Sequence, residues 1–135
     1  MITTDELKVQ LADYGTAVKD LEEALAIDAS RKRVQELEHT MSRPGFYDDA
    51  ELSKKVFDEV GDLKGKLNRF EKLQGLYDDA ETMLVMLDEE YDPEMVPEAE
   101  EAVNAVGKAV DELQLMTMLN GEYDQSNAIQ TFQAG

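Results

Sequence analysis

The chain contains no cysteine and a single histidine, His39. Without cysteine it can hold no disulfide, no thiolate nucleophile and no cysteine-ligated metal, so nothing indicates an oxidising compartment. With one histidine and no cysteine, a catalytic triad lacks its members. These absences exclude the commonest kinds of nucleophilic active site.

Long apolar runs are also missing. No run approaches the roughly 18 residues that a membrane-spanning helix needs. The N-terminal segment carries Asp5 and Glu6 and has no apolar core, so it is not a signal peptide. We therefore expect a cytoplasmic protein without a membrane partner.

Basic residues are scarce in the second half of the chain. Residues 1–75 hold 16 acids and 12 bases, a net charge of −4, whereas residues 76–135 hold 15 acids and only Lys108, a net charge of −14. So acidic a segment repels phosphate backbones, and we expect no independent binding of nucleic acid. A solubilising surface is the simplest interpretation of the acids themselves.

The acidic residues do not form a recognisable metal site. Glu36 and His39 have the spacing of half a di-metal motif, but such a site needs a second histidine. The odd-numbered spacing of Asp88, Glu90 and Asp92 is typical of a calcium loop, yet the position that requires glycine is Pro93. We expect no catalytic residue, no metal and no cofactor, and hence a protein that is not an enzyme.

The first third of the chain predicts two helices. Thr3 and Glu6 form a capping box that begins the first helix, and the segment 28–30 interrupts its heptad pattern. The second helix is expected to end near Ser42, because Pro44 restricts the residue before it. The apolar positions of the two helices are Leu7, Leu11, Tyr14, Val18, Leu21, Leu25, Val34, Leu37 and Met41.

A seven-residue apolar repeat predicts one long helix from Asp48, its expected N-cap, to about Glu90. Some forty residues would span about 60 Å. Gly61, Gly65 and Gly75 lie inside this helix, where each costs about 1 kcal/mol relative to alanine. We expect the helix to bend or a neighbour to approach closely at these glycines. The repeat consists of Val56, Leu63, Phe70, Tyr77 and Leu84.

A last helix follows an acidic loop, with Asp92 as its expected cap and Pro93 in its first turn. Beyond Gly121 the pattern predicts a turn and one short strand, which is not stable alone.

We therefore predict an all-α, elongated antiparallel bundle or coiled coil of three to four helices built on one long helix, with a strand-like C-terminal tail. Residues 1–119 form the helical domain, and residues 120–135 form a turn and the first strand of a missing domain. The last helix buries Val96, Ala99, Val103, Val106, Val110, Leu113 and Thr117.

The densest basic segment is Arg31-Lys32-Arg33, and Arg43 follows nearby. Cations at the start of a helix oppose its dipole, so one interpretation is a contact with RNA or protein. Alternatively, the three side chains are solvated and pair with Glu36 and Glu38 at helical spacing. The sequence leaves both interpretations open.

Two turn motifs carry a family resemblance. The segment 118–124 reads Met-Leu-Asn-Gly-Glu-Tyr-Asp, and 127–129 and 133–135 follow with Asn-Ala-Ile and Gln-Ala-Gly. Together they resemble the start of the central domain of bacterial class I peptide chain release factors of type 2. The segment 43–49, Arg-Pro-Gly-Phe-Tyr-Asp-Asp, is similar to that family's Pro-x-Phe-Trp-x-Asp turn, with Tyr47 replacing the usual tryptophan. Type 1 factors share the architecture but lack both patterns.

The resemblance implies the N-terminal helical domain of a translation termination factor that directs release at UGA and UAA. Family members read the codon with Ser-Pro-Phe and release the peptide with Gly-Gly-Gln, and the 135 residues contain neither. The implied partner is the ribosome, at the stalk-base protein and the GTPase-associated centre, with Arg31, Lys32, Arg33 and Arg43 as candidate contacts. By itself the chain is expected to be monomeric, or to associate through its C-terminal strand, as an expressed fragment or a truncated product.

Two alternatives stand beside this interpretation. One is a self-standing acidic coiled-coil scaffold that oligomerises through its apolar seams. The other is an acidic decoy that mimics nucleic acid and blocks a basic partner. Sedimentation distinguishes the scaffold from a domain that buries its seams within one chain.

Overall fold

The computed structural model describes residues 3–119, which form four α-helices and one short 3₁₀ turn. The prediction of an all-α fold is confirmed for these residues, whereas the predicted strand in 120–135 lies outside them. Between residues 3 and 119, no helix combines the length and apolar character that crossing a membrane requires. The elements are α1 (Thr4–Ala24), α2 (Ile27–Met41), the 3₁₀ turn (Phe46–Asp48), α3 (Ala50–Glu89) and α4 (Val96–Leu119).

The long helix α3 is the spine of the fold. Helices α1 and α2 follow one another along it in the opposite direction, since Lys8 near the start of α1 pairs with Asp88 near the end of α3. Glu38, near the end of α2, pairs with Lys64 at 2.8 Å. Helix α4 then returns along the second half of α3. The molecule is thus a three-helix bundle of α1, α4 and the second half of α3, extended by a hairpin of α2 and the first half of α3.

The break between α1 and α2 is made by one residue, Ala26, in the left-handed conformation (φ 51°, ψ 53°). Residues 28–30, which the heptad pattern predicted as its interruption, are already helical, and the turn lies before them at Ala26. Lys66 of α3 donates a hydrogen bond from Nζ to the Leu25 carbonyl at 2.7 Å, which satisfies the end of α1. The turn at Ala26 places the following Ile27 fully inside the core.

One of the two predicted N-caps, Thr3, is correct, and the other is one residue too early. Thr3 caps α1 and accepts a hydrogen bond from the Glu6 backbone at 3.1 Å, as the capping box predicts. Helix α3 is capped by Asp49, which accepts from the Leu52 backbone at 3.1 Å. The prediction of Asp48 was wrong, because the 3₁₀ turn occupies that position.

The predicted start of α4 was also wrong. Asp92 does accept a backbone hydrogen bond, from Glu94 at 2.9 Å, but it stabilises a turn that precedes the helix. The Met95 backbone donates to the Asp92 carbonyl at 3.0 Å within the same turn. Helix α4 begins only at Val96, so Pro93 lies in the loop.

The core runs along one side of α3. Phe70 and Leu73 are almost fully buried between α1 and α4, and a second, smaller cluster of Leu37, Phe46, Val56 and Val60 fills the hairpin. Among the residues of the predicted packing seam, Leu63 and Tyr77 are partly buried. The other seam residues are buried: Leu7, Leu11, Val18, Leu25, Val56, Phe70, Leu84, Val103, Val106, Val110 and Leu113.

The close approaches expected at the three glycines of α3 do not occur. A Cβ placed on Gly61 or Gly75 would have nothing within 4 Å, and one on Gly65 would meet only Arg69 of the same helix, at 3.7 Å. Helix α3 continues through all three positions for 40 residues. Tertiary packing along α3 therefore outweighs the helical cost of these glycines.

Close approaches are instead made by two tyrosines. The Tyr14 ring of α1 lies against Gly107 of α4, so close that a Cβ there would be 2.5 Å from the phenol oxygen. The Tyr77 ring of α3 lies against Gly15 of α1 in the same way, at 2.7 Å. Each glycine leaves room for a ring between two helices.

Candidate docking surface

The closed end of the α2–α3 hairpin carries an aromatic cluster, which we call the tip and define as Phe46, Tyr47 and Phe57. The Phe46 ring packs edge-on against Tyr47 (centroids 5.0 Å apart) and Phe57 (5.9 Å apart). Phe46 is buried, whereas Tyr47 is 68% exposed and Phe57 is 43% exposed. The tip thus presents two aromatic rings to solvent on a third ring that is anchored in the core.

Local sequence explains this arrangement. Gly45 adopts a positive φ of 81°, which glycine takes without strain, and turns the chain from α2 toward α3. The buried Ser53 hydroxyl lies 2.9 Å from the Phe46 carbonyl and 2.8 Å from the Asp49 carbonyl, to which it can donate. Because Phe46 is held in the hairpin core, its neighbour Tyr47 faces outward.

Two of the four candidate basic residues form ion pairs between α2 and α3. Arg33 of α2 makes two contacts with Glu59 of α3, at 2.8 and 3.2 Å. Arg31 lies 3.6 Å from Asp28 and 3.8 Å from Glu71. These arginines therefore meet carboxylates of their own chain, partly at helical spacing and partly across to α3.

The pairing is visible in the ionisation of these groups. The hydrogen bond from Arg33 lowers the pKa of the Glu59 carboxyl, and the same bond raises the pKa of the Arg33 guanidinium. The hydrogen bond to Asp58 raises the pKa of the Lys54 amine. All of these groups are solvent-exposed, so the pairs orient the side chains more than they stabilise the fold.

Lys32 and Arg43 are placed differently from the two arginines. Both are exposed, and neither has an ion-pair partner among residues 3–119. Arg43 begins the turn that carries Tyr47, and its carbonyl accepts from the Phe46 backbone at 3.2 Å. The structure thus brings one available cation to the tip, and leaves another on the exposed side of α2.

The exposed rings of the tip were not among the predicted site residues. Tyr47 could have been identified from its position in the Pro-Gly-Phe-Tyr turn. Phe57 follows the seam residue Val56 and so faces away from the seam, where an aromatic residue is unexpected. An aromatic residue outside the apolar stripe of the helix was the signal in the sequence that could have identified Phe57.

The acidic residues collect at the opposite end of the molecule. The end of α3, the loop after it and the start of α4 meet there, and they bring together Asp88, Glu89, Glu90, Asp92 and Glu94, all of them exposed. Among residues 3–119, no cluster of three or more histidine or acidic side chains is arranged to hold a metal ion. The charge asymmetry of the sequence becomes an asymmetry between two ends of a rod.

Comparison with known proteins adds a family to this geometry. The PCRF domain family matches residues 30–135. Curated relatives include three proteins named peptide chain release factor 2. The one from Salinispora tropica is 31% identical over 134 residues, which are 99% of this chain and 36% of the relative.

The other two are similar to the same extent. The protein from Acholeplasma laidlawii is 35% identical over 92% of this chain and 33% of its own length, and that from Clostridium perfringens strain SM101 is 35% identical over 96% and 36%. The chain spans about a third of the length of these relatives.

Proposed function

The chain belongs to the PCRF domain family, and on that basis we propose that it is the N-terminal helical domain of a translation termination factor that directs release at UGA and UAA. Its part in termination is to dock the factor on the ribosome near the stalk base and the GTPase-associated centre. Codon reading and peptide release belong to parts of the factor outside these residues. Similarity to proteins named peptide chain release factor 2 over nearly the whole chain supports this proposal.

The observation that carries the docking role is the tip. A cluster of exposed aromatic rings is typical of protein contacts, because each ring buries much apolar area at little entropic cost. The tip also lies at the less acidic end of the rod, where Arg43, Lys54 and Lys55 offset Asp48, Asp49 and Glu51. A surface that approaches an RNA-rich particle is expected to be the less acidic one.

The scaffold alternative lacks the surface it needs. Oligomerisation through the apolar seams requires seams that are free, but the seam residues of α1, α3 and α4 pack against one another within one chain. Leu7, Phe70 and Val103, one from each helix, are each at most 1% exposed. The apolar seams are therefore already buried within one chain, which favours a monomeric docking module.

Competition with a complete factor tests the proposal. The 135-residue chain is added in excess to ribosomes programmed with UGA, and peptide release by a full-length release factor 2 is measured. We expect inhibition by the unmodified chain and several-fold weaker inhibition by Tyr47→Ser. Tyr91→Ser is the matched control, because Tyr91 is 65% exposed but lies beyond the far end of α3.

Two results would contradict the proposal. One is a folded chain that does not inhibit release at any concentration. The other is equal weakening by Tyr47→Ser and Tyr91→Ser, which would remove the tip as the docking surface.

A further inference from the structure

A groove of about 470 Å³ lies between the last turns of α4 and the middle of α3. Two glycines of α3, Gly61 and Gly65, line it one helical turn apart. None of the tip residues lines it, so it is a separate surface. We call it the glycine groove and define it as Gly61, Leu63, Gly65, Lys66, Arg69 and Met116.

The two glycines leave space that no residue between 3 and 119 fills. A Cβ on Gly61 would have nothing within 4 Å, and one on Gly65 would meet only Arg69 of its own helix. At Gly15 and Gly107, by contrast, the missing side chain makes room for a tyrosine ring from a neighbouring helix. Two open glycines one turn apart allow a backbone to lie close along α3. The groove therefore fits an extended segment of chain.

The segment nearest to the groove along the chain is 120–135. Helix α4 ends at Leu119, two residues after Thr117, which lines the groove. The sixteen residues that follow reach about 50 Å when extended, whereas Gly61 and Arg69 are about 12 Å apart along α3. The segment is long enough to lie in the groove, and its attachment to α4 gives it a high effective concentration there.

The charges of the segment and the groove are complementary. The segment contains Glu122 and Asp124 and no base. Lys66 and Arg69 line the groove with one acid, Asp62, which leaves it a net charge of +1. A second copy of the chain carries the same net charge of −18 and is repelled. The chain's own segment is therefore the favoured occupant.

Both partners also offer apolar side chains. Leu63 and Met116 are only partly buried in the groove, and the segment contains Ile129 and Phe132. The short strand that the sequence predicts there is not stable alone. We propose that residues 120–135 bind back along the glycine groove of the same chain. This contact goes beyond the docking function and does not depend on it.

Paramagnetic broadening tests the proposal in the 135-residue chain. Because the chain has no cysteine, Gln130→Cys gives a single attachment site for a nitroxide, and amide resonances are compared before and after the label is reduced. We expect the signals of residues 62–69 and Met116 to be lost while the label is paramagnetic. Gly61→Leu should restore them, because its side chain fills the groove.

Gly75→Leu is the matched control, in which the loss of signal should remain. Gly75 is exposed on the same helix and has nothing within 4 Å of its Cβ, but it does not line the groove. Leucine favours a helix over glycine at both positions, so neither change is expected to unfold α3.

Three results would overturn the proposal. One is no loss of signal in the groove. Another is a loss that surrounds the end of α4 evenly and is the same in Gly61→Leu, which is the result for a tail that does not bind. The third is an equal loss in isotope-enriched, unlabelled chain mixed with labelled chain, which would assign the groove to a second copy.

Discussion

At the scale of single residues, two tyrosine–glycine contacts set the distances between helices. Tyr14 and Tyr77 each lie across a glycine of a neighbouring helix, Gly107 and Gly15. The heptad pattern accounts for the apolar contacts, but it does not reveal which glycine will receive a ring from another helix. The pairing depends on how far the helices slide along one another, which the periodicity of one helix does not determine.

Gly107→Ala should destabilise the bundle by about 1–2 kcal/mol. The added methyl would lie 2.5 Å from the Tyr14 oxygen and 2.6 Å from Cζ, so the ring must move or the helices must separate. Urea unfolding measures the change. Gly75→Ala is the control: it meets nothing within 4 Å and should stabilise by up to about 1 kcal/mol, because alanine favours the helix. Equal effects of the two changes would contradict the packing argument.

Tyr77→Phe should weaken the loss of stability at alkaline pH. Burial raises the pKa of the Tyr77 phenol above 10.0, and Glu81 and Asp78 add to that effect. The unfolded chain therefore loses this proton first, and native stability falls as the pH rises from about 10 through the folded pKa. Urea midpoints between pH 8 and 11 measure the slope, and Tyr91→Phe, at an exposed position, should leave it unchanged.

At the scale of elements, the sequence predicted helices well and their boundaries less well. The capping box at Thr3 and the end of α2 at Ser42 were correct, because the signals are local. Asp48 and Asp49 are both good caps, and the choice between them is made by Phe46, whose burial draws the 3₁₀ turn over Asp48. The tip was not predicted for the same reason, since it depends on which ring enters the core.

Asp49→Ala should cost about 1 kcal/mol of stability, because it removes the acceptor for the Leu52 backbone at the start of α3. Asp48→Ala should cost a few tenths of that or nothing. Thermal unfolding of the two variants under identical conditions gives the comparison. A larger loss of stability in Asp48→Ala than in Asp49→Ala would show that Asp48 is the N-cap of α3.

Ala26→Gly should stabilise the protein by about 1 kcal/mol. Ala26 is the one residue other than glycine with positive φ between residues 3 and 119, and the left-handed conformation costs an L-residue about 1–2 kcal/mol. Ala29→Gly, three residues later inside α2, should destabilise by about 1 kcal/mol instead. Urea unfolding that gives the same sign for both changes would exclude this account of the break between α1 and α2.

At the scale of the whole molecule, the acidic residues are concentrated at the end that contains the α3–α4 loop. The sequence predicted an acidic second half, and folding concentrates it further, because the end of α3 and the start of α4 meet at a single loop. The meeting of three cations from α3 and α4 could not be predicted in the same way. Arg69 and Lys72 are separated from Lys108 by more than thirty positions in the sequence, and only the antiparallel return of α4 brings them together.

Moderate salt should therefore stabilise the chain. Repulsion among the acids opposes folding at low ionic strength, and at about 0.15 M the screening length falls to about 8 Å. We expect Tm to rise between about 10 mM and about 150 mM sodium chloride. An uncharged osmolyte at matched osmolality serves as the control, and a fall in Tm would mean that the surface ion pairs outweigh the repulsion.

The continuity of α3 has a mechanical consequence. One helix of 40 residues belongs to the hairpin at its start and to the bundle at its end, with no joint between them. The tip is therefore the end of a lever about 60 Å long, and turning it relative to the bundle would require bending a helix. A partner that displaces Tyr47 is therefore expected to rotate the domain as a rigid body, so that the α3–α4 loop moves as well.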